Sequence, residues 1–214
     1  MTVSNLQFKI EEYLINNSKK VKINSKDIKE GDIFIALRGN NTHGNAYIYE
    51  AQNRGAKYII TDKKITQNND NILLVKNILD FLSSIAINKR NQFKGKVIAI
   101  TGSVGKTTIK ESLKFFLSKD YKISTSIKSY NNFLGVLLSL LNLNLNSVFS
   151  IFEVGTNNFK EINKLSSLIL PHQVIISNIY PTHLENFHNT RNIAKEKSDH
   201  FYSLLLNLMF SFHT

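Results

Sequence analysis

The first third of the chain combines one stretch of helical hydrophobic spacing with several short apolar runs. Leu6, Ile10, Tyr13 and Leu14 recur at helical intervals and predict an amphipathic first helix. Apolar runs bounded by glycine or polar residues predict four strands, and a run closed by Gly55 predicts a second helix. These strands are at 21–23, 31–39, 58–61 and 72–75, and the second helix is at 46–54. Together they predict a small N-terminal α/β domain over residues 1–77.

The rest of the chain alternates strands with helices. Apolar residues at helical spacing predict a connecting helix over 78–93, and a second domain over 94–214. Its predicted strands are at 97–100, 121–124, 148–154 and 173–178, and its helices are at 109–117, 134–143, 159–169 and 193–201. Strands that alternate with helices are typical of right-handed crossovers and a mostly parallel sheet. The predicted fold class is therefore α/β.

A phosphate-binding loop is indicated where the strand at 97–100 meets the next helix. Glycines let the backbone approach an anion, helix N-termini attract phosphate, and a lysine reaches the β- and γ-phosphates. Ile100 occupies the position of the first glycine of the usual pattern, so an ordinary strand-to-helix turn is the alternative. The order of strand, loop and helix favours a nucleoside triphosphate site in a P-loop-type domain. The candidate nucleotide-binding residues are Thr101, Gly102, Ser103, Val104, Gly105, Lys106, Thr107 and Thr108.

Composition narrows the range of partners. The chain has 214 residues, a net charge of +11 and an isoelectric point near 9.7, so nucleic acid has to be considered. The lysines are scattered and no dense basic run occurs, which favours a polyanionic small molecule over nucleic acid. Cysteine is absent, and the first ten residues lack the apolar core of a signal peptide. We therefore expect a cytoplasmic protein that binds neither nucleic acid nor membrane.

Two further candidate residues follow predicted strand ends, where parallel sheets bind their ligands. Glu153 ends an apolar strand, where a carboxylate is unfavourable unless it is paired or bound to a cation such as Mg²⁺. His183 lies in a loop after the last predicted strand, and Lys197 lies on a predicted helix. Histidines in loops and lysines on helices are more often simply solvated, so each residue is ambiguous when considered alone.

Polar residues in two other places are candidates for ligand binding. Paired amides suit carbonyl and phosphate oxygens, so Asn131 and Asn132 are candidates, although they also fit a turn before a helix. In the first domain, Ser25, Lys26 and Arg38 fit either contacts to a nucleotide diphosphate or an ordinary polar surface.

Four segments taken together resemble the Mur ligases. They read Thr-Gly-Ser-Val-Gly-Lys-Thr-Thr at 101–108, Tyr-Asn-Asn-Phe-Leu-Gly-Val at 130–136, Phe-Glu-Val-Gly-Thr-Asn at 152–157 and Ser-Asn-Ile-Tyr-Pro-Thr-His-Leu-Glu-Asn-Phe at 177–187. A loop without the first glycine is this family's own form, so Ile100 is no longer an objection. Lys197 follows His183 by 197 − 183 = 14 residues, the spacing of the family's carbamylated lysine. Within the family, the chain is most similar to the ligases that add D-alanyl-D-alanine to UDP-N-acetylmuramoyl-tripeptide.

The resemblance implies a bacterial ATP-dependent ligase of peptidoglycan precursor synthesis, which forms an amide through an acyl phosphate. Its substrates would be UDP-N-acetylmuramoyl-tripeptide and D-alanyl-D-alanine, its cofactors ATP and Mg²⁺, and the protein would be a monomer. The implied catalytic residues are Lys106, Glu153, His183 and Lys197. The implied metal ligands are Thr107, Glu153, His183 and carbamylated Lys197, and the implied substrate-binding residues are Ser25, Lys26, Asn131 and Asn132.

The chain departs from the family pattern in two places. Asn24 and Lys26 replace an acid and an arginine, and lysine cannot offer the bidentate fork of arginine. The family continues well beyond the carbamylated lysine with a C-terminal domain, whereas the tail at 203–214 does not look like that continuation. We therefore expect a C-terminally truncated chain with an incomplete central domain and no ligase activity. The alternatives are a related Mur or folylpolyglutamate-type ligase, and a non-catalytic nucleotide-binding fragment.

Overall fold

The computed structural model describes residues 3–18, 20–65, 69–126 and 131–198, and the chain divides into two compact units. The first unit is Met1–Asn88 and the second is Lys89–Thr214. Tyr130 and residues 199–214, which include the end of the predicted last helix, lie outside the described residues. Domain boundaries at 77 and 94 stay predictions.

The first unit contains a parallel sheet with the strand order β1-β2-β3-β4. The strands are β1 (Val21–Lys22), β2 (Ile33–Ile35), β3 (Tyr58–Thr61) and β4 (Ile72–Leu74). The helices are α1 (Val3–Asn16) and α2 (Ile48–Asn53), with 3-10 helices at Ser25–Asp27 and Gly44–Tyr47. The predicted small α/β fold of this part of the chain is confirmed.

Burial explains why the elements of the first unit form where they do. Leu6, Ile10 and Leu14 are buried, which confirms the predicted apolar face of α1. The strand predicted at 31–39 is shorter, because a tight turn follows it, in which Leu37 N–H donates to the Ile35 carbonyl at 3.0 Å.

The second unit contains another parallel sheet, with the strand order β6-β7-β5-β8. The strands are β5 (Lys96–Thr101), β6 (Ile123–Thr125), β7 (Phe149–Glu153) and β8 (Gln173–Ile176). The helices are α3 (Ile78–Gln92), which crosses the boundary between the units, α4 (Lys106–Leu117), α5 (Phe133–Leu141), α6 (Glu161–Ile169), α7 (Leu184–Phe187) and α8 (190–198). None of the helices in the described ranges has the length and apolar character to cross a membrane. The predicted α/β class is confirmed.

The strand order of the second unit brings three segments of the chain to one edge of its sheet. β5 lies between β7 and β8, with Ile100 opposite Glu153 and Thr101 opposite Ile176. Parallel strands all end at the same edge, so the segments that follow β5, β7 and β8 are neighbours. Ile100 is fully buried inside β5, which explains why an apolar residue suits this position.

Two buried cations at the end of α3 bind the carboxyl ends of other helices. Lys89 Nζ donates to the carbonyl of Leu141, the last residue of α5, at 2.7 Å. Arg90 donates through Nε to the Ile169 carbonyl and through Nη2 to the Leu170 carbonyl at 2.6 Å, at the end of α6. Cations are favourable there because the last carbonyls of a helix have no intrahelical donor. Burial lowers the pKa of Lys89 to about 8 and that of Arg90 to about 10.

Lys89 is expected to make the stability of the second unit depend on pH. Its pKa is about 8 in the folded chain against 10.5 for an ordinary lysine, so between these values the unfolded chain binds more protons. The stability that Lys89 contributes is fully present above pH 10.5 and is lost as the pH falls through about 8. Relative to Lys89→Met, the wild-type free energy of unfolding should rise by about 2 kcal/mol from about pH 7.5 to about pH 9.5. Urea denaturation of the wild type and of Lys89→Met measures this change. The prediction is contradicted if the two chains differ in free energy of unfolding by the same amount at both pH values.

Candidate active site

The phosphate loop connects β5 to α4 and depends on glycine. Gly102 has a φ of +142°, and a Cβ there would clash with Ser177 Oγ. Gly105, with a φ of +84°, is the N-cap of α4. The first N–H groups of a helix have no intrahelical acceptor, so the start of α4 offers donors to an anion. Thr108 is exposed in this first turn, whereas Thr101 is buried and its hydroxyl has no hydrogen-bond partner among the described residues.

Lys106, the first residue of α4, lies against the phosphate loop. Its Nζ donates to the Gly102 carbonyl at 2.7 Å and to the Ser103 carbonyl at 3.3 Å. Burial lowers the pKa of Lys106, and the negative charge of Glu153 partly opposes this effect. The ammonium group therefore lies at the loop, where a lysine that binds phosphate is needed.

Glu153 ends β7 as a buried carboxylate, and its side chain is only 2% exposed. Thr107 Oγ1 donates to its Oε2 at 2.9 Å, and Asn131 Nδ2 donates to its Oε1 at 3.1 Å. The Nζ of Lys110 lies 3.7 Å from Oε2. A buried charge requires such partners, and together they fix the orientation of the carboxylate beside the first turn of α4.

The pair formed by Thr107 and Glu153 fits the Mg²⁺ that the sequence implies. Hydroxyl and carboxylate oxygens are ligands that this cation prefers, and Mg²⁺ usually retains waters and substrate phosphates in its coordination sphere. Among the residues that the structure describes, no three or more His, Cys, Asp or Glu side chains converge as a metal site. The oxygens of Thr107 and Glu153 would therefore bind Mg²⁺ together with phosphate oxygens.

A cavity of about 420 Å³ lies beside Lys106, and its lining includes Asn131, Asn132 and His183. The Oδ1 of Asn132 accepts a hydrogen bond from the first turn of α5 at 2.9 Å, so this residue is the N-cap of that helix. The two neighbouring amides thus differ in role, because Asn131 binds the Glu153 carboxylate and Asn132 begins a helix. Both remain at the wall of the cavity.

His183 reaches the same cavity from the segment that follows β8. It has a left-handed φ of +54° and immediately precedes α7, a short helix that the sequence analysis did not predict. Its Nδ1 lies 3.6 Å from Oε1 of Glu185, and both side chains are substantially exposed. His183 and Lys106 therefore share one cavity although they are distant in sequence.

Lys197 lies on α8 and is only 3% exposed. The pKa of Lys197 is lowered to about 8, chiefly by burial and in addition by the positive charge of Lys106, while the negative charge of Glu196 opposes both effects. The structure thus brings Glu153 and His183 to the region of Lys106. Lys197 is linked to Lys106 by the effect of its charge.

Two glutamates that the sequence analysis did not identify hold the loop between β7 and α6. Glu196, which is 2% exposed, accepts hydrogen bonds from the backbone N–H groups of Lys160 at 2.8 Å and Ile162 at 2.9 Å. Glu161 accepts from Asn158 Nδ2 at 2.9 Å. Burial raises the pKa of Glu161, but the hydrogen bonds from Asn158 and its neighbours outweigh burial and lower it overall. Asn158 and Glu161 have capping-box spacing, which was the available sequence signal.

The candidate residues of the first unit lie at the 3-10 helix Ser25–Asp27. Ser25 is buried, and its hydroxyl donates to Glu50 Oε2 at 2.6 Å, which lowers the pKa of Glu50. The backbone N–H of Lys26 donates to Asn24 Oδ1 at 3.1 Å, so Asn24 caps this turn. These contacts account for the local structure, and a role of Ser25 and Lys26 in substrate binding stays a prediction.

Two protein-family models match this chain, and together their matches reach into both units. The model of the Mur ligase family, catalytic domain, matches residues 18–139, and that of the Mur ligase middle domain matches residues 100–209. The chain belongs to the Mur ligase family. The two matches together include every residue that the structure gathers around Lys106.

Two curated relatives of this Mur ligase chain are longer than the chain. A protein of Rickettsia prowazekii (strain Madrid E), named UDP-N-acetylmuramoyl-tripeptide–D-alanyl-D-alanine ligase, is 42% identical over 192 residues, which are 89% of this chain and 42% of that protein. The ligase of the same name from Buchnera aphidicola subsp. Baizongia pistaciae (strain Bp) is 35% identical over 82% of this chain and 38% of its own length. The chain thus spans less than half the length of the curated relatives it matches.

Two solved structures that are similar to this chain also belong to Mur ligases. MurF from Acinetobacter baumannii matches 95% of this Mur ligase chain and 46% of its own, with a TM-score of 0.77 and 28% identity. MurF ligase from Thermotoga maritima in complex with ADP matches 87% of this chain and 43% of its own, with a TM-score of 0.72 and 32% identity.

Proposed function

We propose that this chain forms the nucleotide-binding and UDP-substrate-binding parts of a cytoplasmic ligase that joins D-alanyl-D-alanine to UDP-N-acetylmuramoyl-tripeptide. The observation that carries the proposal is the hydrogen bond from Thr107 to the buried Glu153, directly beside Lys106 and the start of α4. The names of the curated relatives and the ADP complex of the Thermotoga maritima enzyme support it. In this proposal residues 1–77 bind the uridine nucleotide, residues 94–214 bind ATP, and the protein is a monomer.

The proposed reaction requires the chain to position reactants and to neutralise charge. A peptide carboxylate is a poor acyl donor, and transfer of the γ-phosphoryl group of ATP gives it a leaving group that the amine of D-alanyl-D-alanine displaces. Lys106 would stabilise negative charge on the transferred phosphoryl group. Asn131 would orient the Glu153 carboxylate, with which it is hydrogen-bonded at 3.1 Å, and Asn132 would offer amide donors to oxygen atoms in the cavity.

The proposal assigns two Mg²⁺ sites to the chain. Thr107 and Glu153 would bind one ion, and His183 and Lys197 would bind another once Lys197 is carbamylated. The ions would supply positive charge against the phosphates. Lys197 as an ammonium group would repel a cation, whereas its carbamate is an anion with oxygen ligands, so the second site depends on this modification.

Carbamylation of Lys197 is expected because burial favours its neutral amine, the form that reacts with carbon dioxide. With a pKa of about 8, roughly a quarter of the side chains are neutral at about pH 7.5, far more than for an ordinary lysine. In ¹³C-bicarbonate, NMR should show a carbamate signal that disappears in Lys197→Arg. The control Lys195→Arg, which changes an exposed lysine of the same helix, should retain the signal. A signal that persists in Lys197→Arg would contradict the assignment.

Nucleotide binding and ligation must be measured separately to test the proposed function. Calorimetric titration of the 214-residue chain with ATP and Mg²⁺ is expected to show one site. A second assay supplies UDP-N-acetylmuramoyl-tripeptide and D-alanyl-D-alanine and follows amide formation. ATP binding without ligation agrees with the expectation that this chain has no ligase activity by itself, and amide formation would contradict that expectation. Ligation with other UDP-peptides or with folate polyglutamates instead would favour a related ligase, and absence of ATP binding would refute the proposal.

A further inference from the structure

The segment that follows β8, residues 177–182, forms hydrogen bonds to the backbone of the phosphate loop, and we name it the clasp segment. Val104 is the first point of contact. Its carbonyl accepts from Ser177 Oγ at 2.6 Å and from Asn178 Nδ2 at 3.0 Å, and its N–H donates to Asn178 Oδ1 at 2.9 Å. Val104 is 58% exposed, so the clasp segment holds the loop through its backbone rather than by packing.

Ser103 is the second point of contact between the clasp segment and the loop. Its N–H donates to the Asn178 carbonyl at 3.1 Å. Its hydroxyl donates to the Tyr180 carbonyl at 3.1 Å and accepts from the Tyr180 N–H at 2.9 Å. Thr182 Oγ1 also donates to this hydroxyl, at 3.3 Å. The clasp segment therefore holds the backbone N–H groups of both Ser103 and Val104 and the carbonyl of Val104.

These contacts have two consequences for an anion at the loop. The N–H groups of Ser103 and Val104 already donate to the clasp segment. The donors left for an anion are therefore the N–H groups at the start of α4 and the Lys106 ammonium group. The loop also contains Gly102 and Gly105, and glycines leave a free loop many conformations. Fixing the loop beforehand removes an entropic cost that phosphate binding would otherwise carry.

We propose that Ser177 and Asn178 are positioning residues for the nucleotide, and that they set ATP affinity without contacting ATP. Asn178 satisfies both backbone groups of Val104 with one amide, which no apolar or shorter side chain reproduces. The clasp segment leads directly into His183, so the same contacts hold the histidine segment to the loop. This inference rests on the proposed function, in which the loop binds the phosphates of ATP.

Nucleotide affinity of Asn178→Ala tests the proposal. Calorimetry with Mg²⁺ is expected to show about tenfold weaker binding of ATP and, by the same factor, of inorganic tripolyphosphate, because only the phosphates are affected. Ser177→Ala, which removes one bond to the Val104 carbonyl and keeps Asn178, is expected to weaken both by about threefold. The matched controls are Asn146→Ala and Ser167→Ala, which are exposed positions of the same unit, and these should bind as the wild type does.

Hydrogen exchange separates positioning from a general loss of stability. In Asn178→Ala the amide of Val104 should exchange at least about tenfold faster, while the buried amides of β5 keep their wild-type rates. If Asn178→Ala does not fold, the affinities of Ser177→Ala for ATP and tripolyphosphate, compared with those of Ser167→Ala, test the positioning role. A wild-type chain that binds neither ligand refutes the proposed function and this inference with it. A wild-type chain that binds both, with variants of equal affinity, refutes the positioning role alone.

Discussion

Replacing Lys106 with alanine is expected to weaken binding of ATP by about a hundredfold in the presence of Mg²⁺, because a charge-assisted hydrogen bond to phosphate is lost. The Lys106 ammonium group is held at the loop by the carbonyls of Gly102 and Ser103, at 2.7 Å and 3.3 Å, beside the start of α4. A phosphate at this point would replace neutral carbonyl partners with an anion. Calorimetric titration of the variant and the wild type measures the effect, and in a full-length relative the same change should remove most ligase turnover.

The control for this prediction lies on the same helix. Lys114 is 50% exposed and its Nζ lies 3.3 Å from Glu111 Oε2, so Lys114→Ala removes the same charge away from the loop. Long-range attraction of a positively charged protein for ATP would weaken equally in both variants. Equal affinity losses in Lys106→Ala and Lys114→Ala would therefore show that Lys106 has no specific role.

Replacing Arg90 with methionine is expected to lower the free energy of unfolding of the second unit by about 3 kcal/mol, because two helix-end carbonyls lose a buried donor. Those carbonyls belong to Ile169 and Leu170. Leu170 has a left-handed φ of +47°, so it has few alternative conformations in which to find another partner. Hydrogen exchange of the buried amides of β5 measures the loss in the second unit directly.

Arg54→Met is the matched control for the arginine prediction. Arg54 is 45% exposed and its Nε lies 3.4 Å from Glu50 Oε1, a surface ion pair of the first unit. Such pairs contribute about 0–1 kcal/mol, so this variant should unfold nearly as the wild type does. An Arg90→Met chain that is as stable as Arg54→Met would contradict the proposed role of the buried guanidinium.

Much of the fold follows from local patterns in the sequence. The apolar face of α1 and the strands that bear Ile59 and Val97 were predicted because burial imposes a recognisable spacing on a helix and a continuous apolar run on a parallel strand. Spacing cannot give the order of strands in a sheet. The placement of β5 between β7 and β8, which brings Glu153 and the clasp segment to the phosphate loop, is therefore information that only the structure supplies.

Only part of the candidate site could be predicted, because some of its residues have no local signal in the sequence. Lys106 and Thr107 stood in a contiguous motif, whereas Lys197 could be singled out only by resemblance, because a lysine on a helix carries no local signal. Asn178 and Glu196 were missed because their roles consist of hydrogen bonds to backbone groups far away in sequence. The side chains of such residues look ordinary until the strands that present them are placed together.

The structure of this chain with Mg²⁺ and a non-hydrolysable ATP analogue tests the central claim most directly. We expect the β- and γ-phosphates at the N-terminus of α4 beside Lys106, with a metal ion about 2.1 Å from Thr107 Oγ1 and next to Glu153. Phosphates bound elsewhere on the chain, or a metal ion remote from both Thr107 and Glu153, would contradict the claim.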